Sequence, residues 1–200
     1  MEKIKAKKTV IISMVTFWSI FCLILLFHSL TGTAGLRLDY SISKYVGLSF
    51  PSAILFLLTN VFVSVALWRY LIPRLKTDAQ KTIMKIIVAT LVMLSLFPIG
   101  LFDNIIPEPV IFGRTPISFL HVITSRTMFV AMAAFALLTF YEGKSKNLHD
   151  VNIQKTALAF FLYAAICIFV FIFFSTFFWQ FDIIFESLYI AFFFLVVLAF

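Results

Sequence analysis

TALAFFLYAAICIFVFIFFSTFFWQFDIIFESLYIAFFFLVVLAF, residues 156–200, contains no charged side chain except Asp182 and Glu186. A helix on the surface of a water-soluble domain keeps one polar face, and no helical phase through this stretch provides one. Crossing a hydrocarbon core takes about 20 apolar residues, and this stretch has room for two such crossings, about 156–178 and 182–200. Only Trp179-Gln180 and Phe181 lie between them, so the pair reads as an antiparallel helical hairpin with a tight Trp179-Gln180 turn.

Working back from the hairpin, four more apolar runs of spanning length occupy about 10–30, 51–71, 83–102 and 116–140. The expected fold is all-α: a polytopic bundle of six transmembrane helices forming a single transmembrane domain over residues 1–200. Composition agrees. The chain is 62% hydrophobic and 12% charged, with a mean hydropathy of +1.08, whereas soluble domains are about half apolar and a quarter charged. The chain has too few polar residues to cover itself against water, and a bilayer takes the place of that surface.

Local grammar places several boundaries. Ser49 precedes Pro51 and Thr115 precedes Pro116, which puts a capping side chain and a proline where helices two and four begin. Pro98 and Gly100 should kink or end the third helix, and a loop follows over 103–115, punctuated by Pro107, Pro109 and Gly113. The first run follows Lys3, Lys5, Lys7 and Lys8 and precedes a small-x-small pattern at Gly32-Thr33-Ala34, as a secretory signal would. It continues for about twenty residues against the 7–15 of a signal's apolar region, so a retained anchor is expected.

Lys and Arg near helix ends resist translocation and so orient the bundle. Of the 16 basic residues, the N-terminal lysines, Arg69, Arg74, Lys76, Lys81, Lys85, Lys144, Lys146 and Lys155 fall on one side, while Arg37, Lys44 and Arg114 fall on the other. The expected protein sits in the cell membrane with both termini cytoplasmic. The net charge of +7 is spread over short inter-helix clusters, so nucleic acid is not an expected partner. Membrane lipids are, since basic loops attract anionic headgroups, although topology alone also explains the clusters. Cys22 and Cys167 each sit alone inside apolar runs and read as inert thiols.

No internal repeat points to inverted-repeat transporter architecture. The 27 phenylalanines gather toward the last two helices and suit lipid contact or loose aromatic packing. Ala131, Ala133, Ala134 and Ala136 would allow close helix approach and are expected to face inward.

Ionisable side chains inside a span are costly and are default functional candidates. Arg126 lies ten residues beyond Pro116, about 15 Å along a helix and so near the midplane. Asn60, nine residues beyond Pro51, reaches a similar depth. Nearer the outer surface stand His28, Asp103, His121, and the pair Asp182 and Glu186, which share a helix face at i, i+4. Ser118, His121 and Ser125 form one stripe, and Arg126 points away from it.

If the outer halves of these helices converge, they enclose an outward-facing polar pocket with Arg126 at its floor. Arg126 and His121 would then bind an anionic group such as a lipid phosphate, which the guanidinium fork suits. Alternatively Arg126 pairs with Glu186 or Asp103 and merely ties helices together. A catalytic alternative takes His121 or His28 as general base and Asp103 or Glu186 as its orienting or acidic group. No HExxH, GxSxG, phosphate-binding loop or dinucleotide fingerprint is present, and two histidines at unrelated positions do not make a metal site. Neither metal nor cofactor is expected.

Pro51-Ser52 opening the second helix, Asn60 within it, Phe97-Pro98-Ile99-Gly100 closing the third and His121 early in the fourth form a pattern over residues 49–141. That pattern resembles the FRAG/DRAM/SFK-type family of small six-helix membrane proteins, including its uncharacterised prokaryotic relatives. The resemblance implies a six-helix fold and, through eukaryotic members, a connection to lipid or lipid-anchor handling. It carries no catalytic set, and Arg126 and Glu186 are not part of it. The expected function is a multi-pass, non-enzymatic membrane protein whose polar pocket contacts an anionic lipid headgroup or another membrane protein. A small-solute transporter and a membrane-embedded lipid hydrolase or transferase are the alternatives.

Overall fold

A computed structural model describes residues 2–34, 37–97, 116–146 and 150–200, with the side chains of 2–6 and 146 left out. Its regular elements are helical throughout the described residues: α1 (Glu2–Leu30), α2 (Ile42–Val46), α3 (Phe50–Ala66), α4 (Asp78–Leu96), α5 (Pro116–Lys146), α6 (Val151–Phe173), α7 (Ser175–Gln180) and α8 (Asp182–Ala199). Six of these helices, with α3 extended to Arg74, are long and apolar enough to cross a membrane. The all-α, six-span expectation therefore holds.

The starts follow from capping chemistry. Ser49 accepts the Ser52 N–H ahead of α3, with Pro51 in the first turn where no donor is missed. Thr77 accepts the Gln80 N–H ahead of α4, and Asp150 caps α6 through the Asn152 N–H. That capping threonine starts α4 at Asp78, five residues before the expected 83, because a polar first turn can stand outside the hydrocarbon. The kink expected at Pro98 and Gly100, the loop over 103–115, the cap at Thr115 and the candidate residue Asp103 lie outside the described residues.

Beyond Ala66 the α3 helix widens into a π-helical turn over Leu67–Leu71 and then tightens into a 3-10 turn over Ile72–Arg74. Pro73 has no N–H to return to the Arg69 carbonyl, and the Ile72 N–H instead reaches back to the Leu67 carbonyl.

The spans pack in chain order, α1 against α3, α3 against α4, α4 against α5, α5 against α6 and α6 against α8, and α8 returns to α1. Both termini lie at one end, where Lys7 and Val10 share a cleft with Val197–Phe200. This end also holds the α3–α4 connection and the α5–α6 connection. We call it the basic end.

Aromatic side chains fill the middle. Phe17 meets Phe56 and Phe194, and Phe193 meets Phe135 and Phe160, at ring separations of 5.7–6.2 Å. The phenylalanines of the last two helices thus divide: Phe160, Phe193 and Phe194 are core, while Phe169, Phe173 and Phe174 face outward. Ala131 and Ala136 are buried as expected, whereas Ala133 and Ala134 are only half-buried.

Two short helices were not foreseen. The expected tight turn at Trp179-Gln180 is α7, set off by non-helical backbone at Phe174 and Phe181, so α6 ends at Phe173 and not near 178. Ser175 and Thr176 are poor helix-interior residues that compete with the backbone for hydrogen bonds. The second is α2, capped by Ser41. It presses Tyr45 and Val46, each 1% exposed, against α1, α3 and α8 and closes the bundle opposite the basic end.

Candidate functional site

Arg126 sits on α5 with its side chain exposed on the outer surface of the bundle. Met128, Ala131, Met132, Phe135 and Ala136 form the buried stripe of the same helix, and Arg126 falls outside it. The α4–α5 register is fixed by two inter-helix bonds near the basic end: Thr77 Oγ1 donates to Glu142 Oε2 at 3.0 Å and Gln80 Nε2 to Thr139 Oγ1 at 3.4 Å. At the other end of the pair His121 Nδ1 donates to the Phe97 carbonyl at 2.6 Å. Arg126 is five residues from His121, about 7.5 Å along the axis toward the basic end, which keeps it well inside the span.

Beside Arg126 the packing of α4 on α5 leaves a groove of about 450 Å³, lined by Ile83, Ile86, Thr127, Val130, Ala131 and Ala134. The lining is ordered along the helix axes. The guanidinium stands at the end away from the basic loops, and below it come one hydroxyl and then aliphatic side chains only. Buried Ala131 and half-buried Ala134 create the space, because no longer side chain fills the seam against Ile83 and Ile86.

The remaining candidates occupy separate places. His28 is 0% exposed and its Nε2 lies 3.0 Å from the Ser52 hydroxyl, joining α1 to α3; Ser52 in turn accepts a 2.8 Å bond from Ser49. Asn60 Nδ2 donates to Ser95 Oγ at 2.6 Å, joining α3 to α4. Glu186 accepts the Ile42 N–H at 2.8 Å, joining α8 to α2, and Asp182 is buried one turn above it. His28 Nδ1 and Asn60 Oδ1 are buried without a hydrogen-bond partner.

The groove beside Arg126 therefore includes none of His28, Asn60, His121, Asp182 or Glu186. The ion pairs among the described residues are Arg37–Asp39 at 2.8 Å and Lys81–Asp78 at 3.3 Å, so the alternative tie of Arg126 to Glu186 is not formed, while its tie to Asp103 lies outside the described residues. Glu186 instead accepts the first N–H of α2, that of buried Ile42. His121 and His28 bind partners within the fold, and no group of three or more His, Cys, Asp or Glu able to hold a metal occurs among the described residues.

Two polar features escaped sequence reading. Glu142, 4% exposed, and Gln80, 0% exposed, form the α4–α5 clamp. The Thr77-x-x-Gln80 spacing is a capping-box pattern that could have flagged half of it. The other is a cleft at the basic end between α1, the turns after α3, and α8, lined by Lys7, Tyr70 and Arg74. Its parts are distant in sequence, and no motif announces them.

No protein-family model, curated protein or solved structure matches the chain. The resemblance over residues 49–141 thus rests on the quoted residues alone.

Proposed function

We propose that the protein is a multi-pass membrane protein that binds an anionic lipid on its lipid-facing surface, in the groove between α4 and α5, with Arg126 holding the headgroup. One observation carries this reading: an exposed arginine stands inside a span, without an ion pair among the described residues, at the head of an otherwise apolar groove. The polar-to-apolar order of the groove is the order of a lipid. A phosphate drawn down to the guanidinium leaves an acyl chain to run past Val130, Ala131 and Ala134.

The energetic case is one of compensation. An arginine at the centre of a span costs about 2.5–3.5 kcal/mol on insertion scales, and the cost is relieved by a counter-charge or by reaching toward the headgroups. On a helix the side chain leans toward the N-terminus, here toward the end away from the basic loops. With the basic end cytoplasmic, as the distribution of Lys and Arg supports, the lipid belongs to the outer leaflet of the cell membrane.

Native mass spectrometry of the protein released from bilayers of phosphatidylcholine and phosphatidylglycerol tests the reading. The wild type should retain phosphatidylglycerol selectively, and Arg126→Gln should lose about tenfold in retention, the equivalent of one charge-assisted bond. Equal retention by the two proteins would overturn it. Loss of a co-purifying membrane protein in Arg126→Gln, with lipid retention unchanged, would replace the lipid by an acidic partner helix.

A further inference from the structure

The cleft at the basic end has a different construction from the α4–α5 groove. It measures about 240 Å³, and Val10, Leu71 and Val197 make a buried apolar floor. Around that floor stand Lys7 from the second turn of α1, Tyr70 and Arg74, while Leu198, Ala199 and Phe200 close the far wall. Phe200 brings the terminal carboxylate to the far wall, so two side-chain cations face one anionic group; no acidic side chain lines the cleft, and neither Lys7 nor Arg74 makes an ion pair among the described residues.

The backbone after α3 brings Tyr70 and Arg74 to the same opening. In a regular α-helix, positions four apart share a face but would continue straight along the axis. Here the π-helical turn over Leu67–Leu71 widens the helix and the 3-10 turn over Ile72–Arg74 then tightens it. Together they end the span at Arg74, the last residue of the 3-10 turn, whose half-buried side chain lines the cleft beside Lys7 of α1. Single π turns inside α-helices occur frequently at functional sites, and this one builds a wall of the cleft.

We propose that this cleft binds a phosphate group, carried by a lipid headgroup of the leaflet at the basic end or by free phosphate. Two cations and a phenol around one opening match the charge and the acceptor oxygens of a phosphate: the arginine offers a planar fork, the lysine a point charge and the tyrosine a hydroxyl donor. The volume corresponds to about eight waters at roughly 30 Å³ each, enough for a phosphate and the first atoms of its substituent. The apolar floor suits the glycerol end of a lipid. The site shares no residue with the groove at Arg126 and stands or falls independently of it.

Two arms test the site on the full chain. In the first, protein carrying Arg126→Gln, which removes lipid held at the α4–α5 groove, serves as the parent for each cleft variant; it is reconstituted in phosphatidylcholine nanodiscs doped with phosphatidic acid, and retained phosphatidic acid is counted by native mass spectrometry. In the second, inorganic phosphate is titrated onto the protein in neutral detergent micelles while its thermal midpoint is followed. Arg74→Gln and Lys7→Gln are each expected to weaken binding about tenfold, Tyr70→Phe by less, and Arg126→Gln not at this site. Binding in the first arm alone identifies a lipid headgroup; a phosphate-dependent rise in midpoint in the second identifies free phosphate. Lys7 is exposed, so Lys7→Gln keeps the test sound should Arg74→Gln fail to fold. Wild-type binding in both arms by the Lys7→Gln, Arg74→Gln double variant overturns the proposal, as does an absence of phosphate binding by the wild type.

Discussion

Asn60 shows what a polar side chain does inside this bundle. The hydrogen bond that its amide donates to Ser95 crosses from α3 to α4, and the Ser95 hydroxyl donates in turn to the Leu91 carbonyl at 2.9 Å. Such bonds between membrane helices are worth about 0.6 kcal/mol on average and at most about 1.7. A double-mutant cycle of Asn60→Leu and Ser95→Ala, read by unfolding from bicelles, should give a coupling in that range; zero coupling would show that the bond adds nothing to the folded state. Outside the spans, the ion pair of Arg37 with Asp39 gives a second test. The hydrogen bond from the guanidinium holds the Asp39 carboxyl below its ordinary value of 3.8. Its stabilising contribution is therefore present above that value and is lost as pH falls through the lower folded one. Both side chains are exposed, so solvent keeps the effect small. Arg37→Ala should return the Asp39 titration, followed by carboxyl NMR, toward 3.8. Lys44 and the Arg37 guanidinium also sit over the Tyr40 ring, at 4.1 and 4.5 Å, and this gives these two cations a local structural role.

At the scale of elements, α5 is the organising helix. Its 31 residues rise about 46 Å against a hydrocarbon core of about 30 Å, so its last turns, with Glu142 and Gly143, stand beyond the core. There Gly143 lies against α6: a β-carbon on it would come within 2.5 Å of Gln154 Cγ. Gly to Ala in a helix interior normally gains about 1 kcal/mol. At this position the gain should be absent and Gly143→Ala should melt at or below the wild-type temperature; a clear rise would mean that Gln154 moves aside freely. On its other side the same end of α5 meets α4, where Thr77 and Gln80 reach Glu142 and Thr139, the clamp that sets the α4–α5 register and with it the place of Arg126 on the groove. On α6 the buried positions Ala157, Phe160, Ala164 and Cys167 repeat at three- and four-residue spacing, a narrow seam within a helix that is apolar all round. The hydrophobic pattern alone could not single out that seam, because lipid and protein are equally apolar neighbours.

For the whole molecule, the distribution of Lys and Arg makes a directional prediction. Single cysteines placed at Lys44 and Lys81 in a background lacking Cys22 and Cys167 should react from opposite sides of intact cells, Lys44→Cys with a membrane-impermeant reagent and Lys81→Cys only after permeabilisation. The reverse pattern would invert the bundle and move the Arg126 groove to the inner leaflet. Six spans and the end to which each loop belongs are legible in the chain because both follow from local quantities: the length of apolar runs, the cap at Ser49, and the spacing of cations. Arg126, Asn60, His28 and Glu186 are legible as costly residues for the same reason. Their partners are not. Whether Arg126 meets Glu186 depends on which way each helix is rotated, and in a bilayer no hydrophobic difference between lipid and core fixes that rotation. Side-chain packing and inter-helix hydrogen bonds fix it instead. Tertiary structure therefore turned Arg126 out to the surface of the bundle, gave Glu186 to α2, and assembled Lys7, Tyr70 and Arg74 into a cleft from segments distant in sequence.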